Sequence, residues 1–305
     1  MRNTIAKAID ARQFPQWGAF LKNIGWQIEN VKGNTIAIRK IPFINRSIIK
    51  IQHPRNPLPF THVDVLAKKY KALFVLVEPH NYKYNAELFM QNGYKKSNMH
   101  AAHCATIKID LQKSEKEIYN SFSENAKRNI RKAEKNNLRI KIIKLNTKES
   151  EKHFLQFYSL LGSLVKIKKF YIPKYKESYA KMQGFKNNSV LLFAYEKNNQ
   201  NPIASIWLGY YKNVSVYLQT GIMQRGYELL ANYLLVWKAL QFSKKNNIQV
   251  FDFESIYDTR YPKEHKDWIG YSEFKKRFHG EIIEYPQNWI KIYNPFLKVL
   301  HMFMP

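Results

Sequence analysis

The 305-residue chain carries 50 Lys and Arg against 23 Asp and Glu, a formal charge of +27, which points to polyanionic partners rather than to a particular fold. Its 45% of apolar residues exclude a disordered basic tail, and its length suggests about two domains. The single cysteine, Cys104, excludes an internal disulfide and a cysteine-rich zinc site; the opening MRNTIAKAIDARQF lacks the apolar core of a secretory signal, and no apolar run nears the roughly 18 residues of a membrane span, so the expected compartment is the cytoplasm.

In chain order, QFPQWGAFLKNIGW reads as a short amphipathic helix with Phe14, Trp17, Phe20 and Leu21 inward. WQIENV and TIAIRKIP read as strands joined by a turn containing KGN, and SIIKIQH as a third strand ending at the loop PRNPLP. A helix is expected near 62–71, followed by the buried strand ALFVLVEP. Ser114 and Glu117 form a capping box that starts another helix. The next helix, in SENAKRNIRKAEKNN, has Ser123 as its N-cap and a narrow apolar stripe of Ala126, Ile130 and Ala133. Arg128, Arg131, Lys132 and Lys135 recur at helical spacing on another of its faces, and LRIKIIKL then alternates as a strand. Three further strands run through SVLLFAYEKNNQNPIASIWLGYYKNVSVYLQTG, with a helix near 229–246 and the strand IQVFDFES after it. The order strand–strand–strand–helix–strand therefore occurs twice, which predicts two similar α/β units in tandem, each a mixed sheet with a helix on it. The closing NWIKIYNPFLKVLHMFMP reads as a helix over the first domain, with peripheral contact to an anionic membrane as the sharper alternative.

For the basic helix, the ordinary explanation is a solvated face. Against it, only Glu124 and Glu134 offset five cations, and KIKKFYIPKYK and FKKRF also interleave aromatics with Lys and Arg. That mixture suits a surface that follows phosphates and stacks on bases, without specifying the nucleic acid. The histidines of HAAH, at 100–103, have no carboxylate or cysteine at metal spacing, so no metal is expected. Asp252 and Glu254 share one face of FDFES; they either hold a substrate amine or cap the next turn.

SENAKRNIRKAEKNNLRI resembles the helix-to-strand segment of the FemABX aminoacyltransferases. Four more stretches follow that family in order: FPQWGAFLKNIGW, HCATIKIDL, then VYLQTG with LLANYLLVWKAL and FDFESI, and finally YSEFKKRFHGEIIEYP, which is similar to its Phe-Lys closing motif. The resemblance implies two GNAT-like domains without a coiled-coil arm: the first of residues 1–112 with a returning tail of 287–305, the second of 113–286. It also implies an activity, the transfer of an amino acid from aminoacyl-tRNA to an amine of a nucleotide- or lipid-linked peptidoglycan precursor. The expected enzyme is a monomer that needs no cofactor.

Such a reaction needs alignment of two substrates and a fixed charge for the tetrahedral oxyanion. By the resemblance, Lys275 is that cation and Phe274 packs it in place. Lys22 would contact the precursor's phosphates, and Tyr217, Asp252, Glu254 and Lys169 its other groups. Arg128, Arg131, Lys132, Lys135, Lys276 and Arg277 would hold the tRNA. The competing enzyme is a GNAT-like transferase using acyl-CoA, which wants a glycine-rich pyrophosphate loop. TGIMQRGYELLANY has Gly221 and Gly226 but not paired glycines. The non-enzymatic alternative is an RNA-binding relative without catalysis.

Overall fold

The computed structural model describes residues 2–55, 57–80, 85–168 and 172–295. The chain divides into two units, one of residues 9–104 and 284–305, the other of residues 1–8 and 105–283. The sequence reading sets its boundaries at 112 and 287. The difference arises because a strand at 105–110 pairs in the second unit's sheet.

Helix α1 (Arg2–Lys7) belongs to the second unit. The first unit then runs α2 (Pro15–Asn23), β1 (Gln27–Val31), β2 (Asn34–Lys40), β3 (Ser47–Gln52), α3 (Phe60–Lys69), β4 (Ala72–Glu78), α4 (Ala86–Gln91) and β5 (Lys95–Ser97). β1 and β2 form a hairpin closed by Lys32 and Gly33, both with positive φ, the conformation a two-residue turn of this twist requires. The sheet order is β1-β2-β3-β4-β13-β5, where β13 (Asn288–Ile292) comes from the C-terminal part of the chain. β3 and β4 are parallel and the other neighbours antiparallel. Ile36, Ile38, Ile49, Ile51, Val75 and Val77 face Phe60, Val63 and Ala67 of α3 to make the core.

β13 corrects the expectation of a helix in the tail. Trp289 is buried and stacks on Phe89, and on the same face of the strand the ammonium of Lys291 reaches Asp64 at 2.7 Å. Backbone pairing with β4 on one side and β5 on the other outweighs the apolar spacing that suggested a helix. The rest of the tail expectation, with its membrane contact, falls on 296–305, outside the described residues.

The second unit comprises β6 (Ala105–Asp110), α5 (Glu115–Ser121), α6 (Glu124–Lys135), β7 (Arg139–Lys144), α7 (Ser150–Lys168), α8 (Tyr175–Phe185), β8 (Ser189–Tyr195), β9 (Ala204–Tyr211), β10 (Val214–Ile222), α9 (Gln224–Glu228), α10 (Ala231–Lys245), β11 (Val250–Ser255), α11 (Ile269–Lys276) and β12 (Glu281–Glu284). Its sheet order is β12-β6-β11-β10-β9-β8-β7. β9 shows why both faces are covered. Ile206 and Leu208 join the core shared with α10 and α6, while Trp207 between them packs edge-on against Phe154 of α7 at 5.4 Å. The capping box of Ser114 and Glu117 and the N-cap of Ser123 form as the sequence predicts. The predicted repeat is present in pairing as well as order: β8, β9, β10, α10 and β11 repeat β1, β2, β3, α3 and β4, with the last two strands parallel in each unit.

Candidate active site

In the second unit the parallel strands part. β10 and β11 pair only between Val214–Val216 and Val250–Asp252. Beyond that point the register of β10 on β9 slips between Tyr217 and Gln219, and that of β11 on β6 slips between Asp252 and Ser255. A cavity of about 480 Å³ begins where the pairing ends, lined by Tyr217, Gln219, Glu254, Tyr271, Phe274 and Lys275 among others. Ligands of α/β sheets sit at such carboxyl ends of parallel strands. In the first unit the corresponding pair stays joined through Gln52 and Glu78, and the Gln52 side-chain amide donates to the Glu78 carboxylate at 2.9 Å.

Lys275 is a buried cation of the cavity. It sits in the last turn of α11 and is only 5% exposed. Its Nζ donates to the carbonyls of Phe253 at 2.8 Å and Ser255 at 2.7 Å. These flank Glu254, whose φ of 59° is left-handed, a strained choice for a residue with a Cβ. Burial pulls the ammonium down to about 7, and the nearby Glu254 and Asp252 charges pull it partly back. It lies 4.5 Å from the centre of the Tyr271 ring and 5.6 Å from that of Tyr217. Burial pushes both tyrosine hydroxyls up, so both remain neutral hydrogen-bonding groups. Phe274 packs edge-on against Tyr233 at 5.0 Å and Phe278 at 5.4 Å, which fixes the helix turn carrying Lys275.

The bulge separates two carboxylates that a regular strand would put on one face. Asp252 is buried; one oxygen accepts from the Glu254 amide at 2.7 Å and from the Thr106 hydroxyl, and the other lies 3.6 Å from the fully buried Lys108 ammonium. The Thr106 hydroxyl also reaches the Glu254 carbonyl at 2.7 Å. Asp252 therefore holds the bulge, and Glu254 lines the cavity.

The remaining predicted residues divide by location. Arg277 lines the cavity, with its guanidinium hydrogen-bonded to Tyr233 and, at 3.3 Å, to Asn125. Lys276 pairs with Glu273 at 2.8 Å. Arg128, Arg131, Lys132 and Lys135 are exposed on α6, whose opposite face buries Ala126, Ile130 and Ala133. Lys22 is exposed on α2 of the first unit and is not a lining residue of the cavity. Lys169 lies outside the described residues. Sequence reasoning passed over Tyr271 and Tyr233. Tyr271 precedes Lys275 by four residues, the spacing that puts two side chains on one helix face, and that was a usable signal.

Both glycines of the would-be pyrophosphate loop are explained by packing. A Cβ on Gly221 would stand 2.6 Å from the Leu161 nitrogen of α7, and one on Gly226 would stand 2.6 Å from the Ile203 carbonyl oxygen. Each gives room to the protein's own backbone rather than to a phosphate.

Residues 173–303 match the model of the FemAB family. Among solved structures, the crystal structure of FemX superposes with a TM-score of 0.79 over 97% of this chain and 96% of that one, at 14% identity. The C-terminal domain of a putative lysylphosphatidylglycerol synthetase from Agrobacterium fabrum gives 0.64 over 96% and 92%, at 9% identity. L-PGS from Bacillus licheniformis gives 0.61 over 93% and 88%, at 13% identity. No curated protein matches in sequence.

Proposed function

From the match of residues 173–303 to the FemAB family model, we propose that the chain is an acyl-transferring enzyme of that kind and that it moves an amino acid from aminoacyl-tRNA to an amine of a peptidoglycan precursor. Both units have the GNAT-like order, three antiparallel strands leading through a helix to a parallel fourth. The observation that carries the reading is the buried Lys275 ammonium, fixed between two strand carbonyls at the edge of a cavity that also presents Glu254.

In the reaction the acceptor amine attacks the ester carbonyl carbon. A carbon–nitrogen bond forms, the carbonyl oxygen takes up negative charge, and the bond to the ribose oxygen then breaks. The nitrogen loses a proton and the ribose oxygen gains one. Two of the three Lys275 protons are committed to Phe253 and Ser255, which leaves a third to donate to the developing oxyanion. The Glu254 carboxylate holds an attacking ammonium and takes its proton as it becomes nucleophilic. The apolar wall of Leu161, Leu164 and Ile172 keeps water from hydrolysing the ester. The exposed cations of α6 would bind tRNA phosphates, and Lys22 the precursor's phosphates. The enzyme would work in the cytoplasm as a monomer; among the described residues no helix is long and apolar enough to cross a membrane.

The test is incubation of either a set of charged tRNAs or acyl-CoA as donor with separate acceptors: nucleotide-linked precursor, lipid-linked precursor, and phosphatidylglycerol, the last prompted by the names of two structural neighbours. Mass spectrometry reads the product. Transfer to a precursor amine supports the proposal. Transfer to the lipid alone, or from acyl-CoA alone, overturns it.

A further inference from the structure

The first unit closes the wedge between its parallel strands and places a polar cluster beyond it. We infer that this cluster, Asp10, His53 and His103, is a binding site for a divalent transition-metal ion of the zinc class.

One potential ligand atom from each of the three residues lies within 4.8 Å of the others, and all three side chains are buried. Nδ1 of His53 is 3.1 Å from Oδ2 of Asp10. Two ligands of a tetrahedral zinc at about 2.1 Å from the ion stand about 3.4 Å apart, so this pair needs to open by only a few tenths of an ångström to take an ion between its atoms. Two imidazoles and one carboxylate form a nitrogen–oxygen set that suits zinc, cobalt or ferrous iron and is too rich in nitrogen for calcium or magnesium.

The surroundings fix Asp10 and the His53 ring in place. The other oxygen of Asp10, Oδ1, accepts from the Arg12 amide at 2.9 Å, which leaves Oδ2 toward the histidines. The Tyr285 hydroxyl donates to Oδ2 at 3.0 Å, and the Tyr285 ring stacks on His53 with centroids 3.8 Å apart. His53 directly follows β3 and is held at a left-handed φ of 46°, with its amide bonded to the Glu78 carbonyl at 2.7 Å. Such a conformation in a β-carbon-bearing residue needs a surrounding that enforces it. A carboxylate buried this deeply also needs compensating charge; the Arg12 guanidinium, 3.8 Å away, stands on the Oδ1 side. A divalent ion supplies charge on the Oδ2 side.

The position has a structural logic. His53 lies at the carboxyl end of β3, the topological counterpart of β10, where the second unit opens its cavity. One unit thus keeps that end for substrates, and the other fills it with ligands drawn from sequence positions 10, 53 and 103. An ion there clips three distant parts of the chain together, so its role is structural.

The test uses the full chain, stripped with a chelator and titrated with Zn²⁺ and Co²⁺. The expected result is one equivalent bound, visible d–d absorption from the cobalt form, and a rise in Tm that chelator reverses. His103→Ala should weaken binding at least about tenfold while the circular dichroism stays that of the parent. Should that variant not fold, metal-catalysed oxidation of the copper-loaded parent, with dioxygen as the oxidant and ascorbate recycling the copper, reads the site without substitution. Oxidised His53 and His103 are then expected in its peptides. Substoichiometric uptake, unchanged affinity in a folded His103→Ala, or oxidation confined to other histidines overturns the inference. Because Lys275 belongs to the other unit, these readouts do not depend on the proposed transfer activity.

Discussion

At Lys275 a charge is removed from water and held by three kinds of neighbour: strand carbonyls, aromatic rings and the Glu254 carboxylate. Lys275→Met keeps the bulk and removes the donor. If the ammonium meets the oxyanion, this variant should lose about 10²–10³ in kcat while tRNA affinity stays within about twofold of the parent; equal losses in both would reduce Lys275 to a binding role. The pH dependence follows from the same burial. The ammonium form declines above about pH 7, whereas the acceptor amine becomes more nucleophilic as pH rises. The rise of kcat/KM with pH should flatten above about 7 in the parent and continue in Lys275→Met. Folding responds with the opposite sign from a lysine in a salt bridge. Between about 7 and 10.5 the unfolded chain binds more protons at this position than the folded chain does, so this site favours the folded state increasingly as pH rises. Urea denaturation across that range should show the slope in the parent and not in the variant.

At the scale of elements, the site depends on two bulges and one close approach. The slip at Asp252 to Ser255 is braced by Thr106 and by the buried Lys108–Asp252 pair. On the other wall, α7 lies so close to β10 that Gly221 has no room for a side chain. Gly221→Ala should push α7 outward and cost about 1–3 kcal/mol, seen as a lower denaturation midpoint at unchanged m. Unchanged stability would mean that the helix gives way freely. A helix face four residues apart, Tyr271 to Lys275, was visible in the sequence; the bulges were not. FDFES reads as a plain alternating strand, and only the loss of pairing with β10 shows that its alternation breaks before Glu254.

For the whole molecule, the charge of +27 would make the proposed association with tRNA a matter of counterion release. Arg128, Arg131, Lys132 and Lys135 leave the apolar stripe of α6 to the core and stand on its solvent side. Replacing all four by glutamine should leave the fold intact and flatten the dependence of log Kd on log salt by about 0.7–0.9 for each phosphate no longer neutralised. A parental slope in the variant would remove these four cations from the proposed tRNA contact.

The sequence by itself determined the mixed α/β class, the two tandem units, the capped helices and the stripe of α6. These depend on local periodicity and on motifs read within a few residues, where side-chain spacing and backbone geometry are coupled directly. Only the tertiary structure decided that the tail contributes β13, that Lys275 is buried, that Asp252 braces while Glu254 faces the cavity, and that His103 has Asp10 and His53 beside it. Each of those depends on which strand edge is open and which distant segments meet, and the pairing that settles it is between residues tens to hundreds of positions apart.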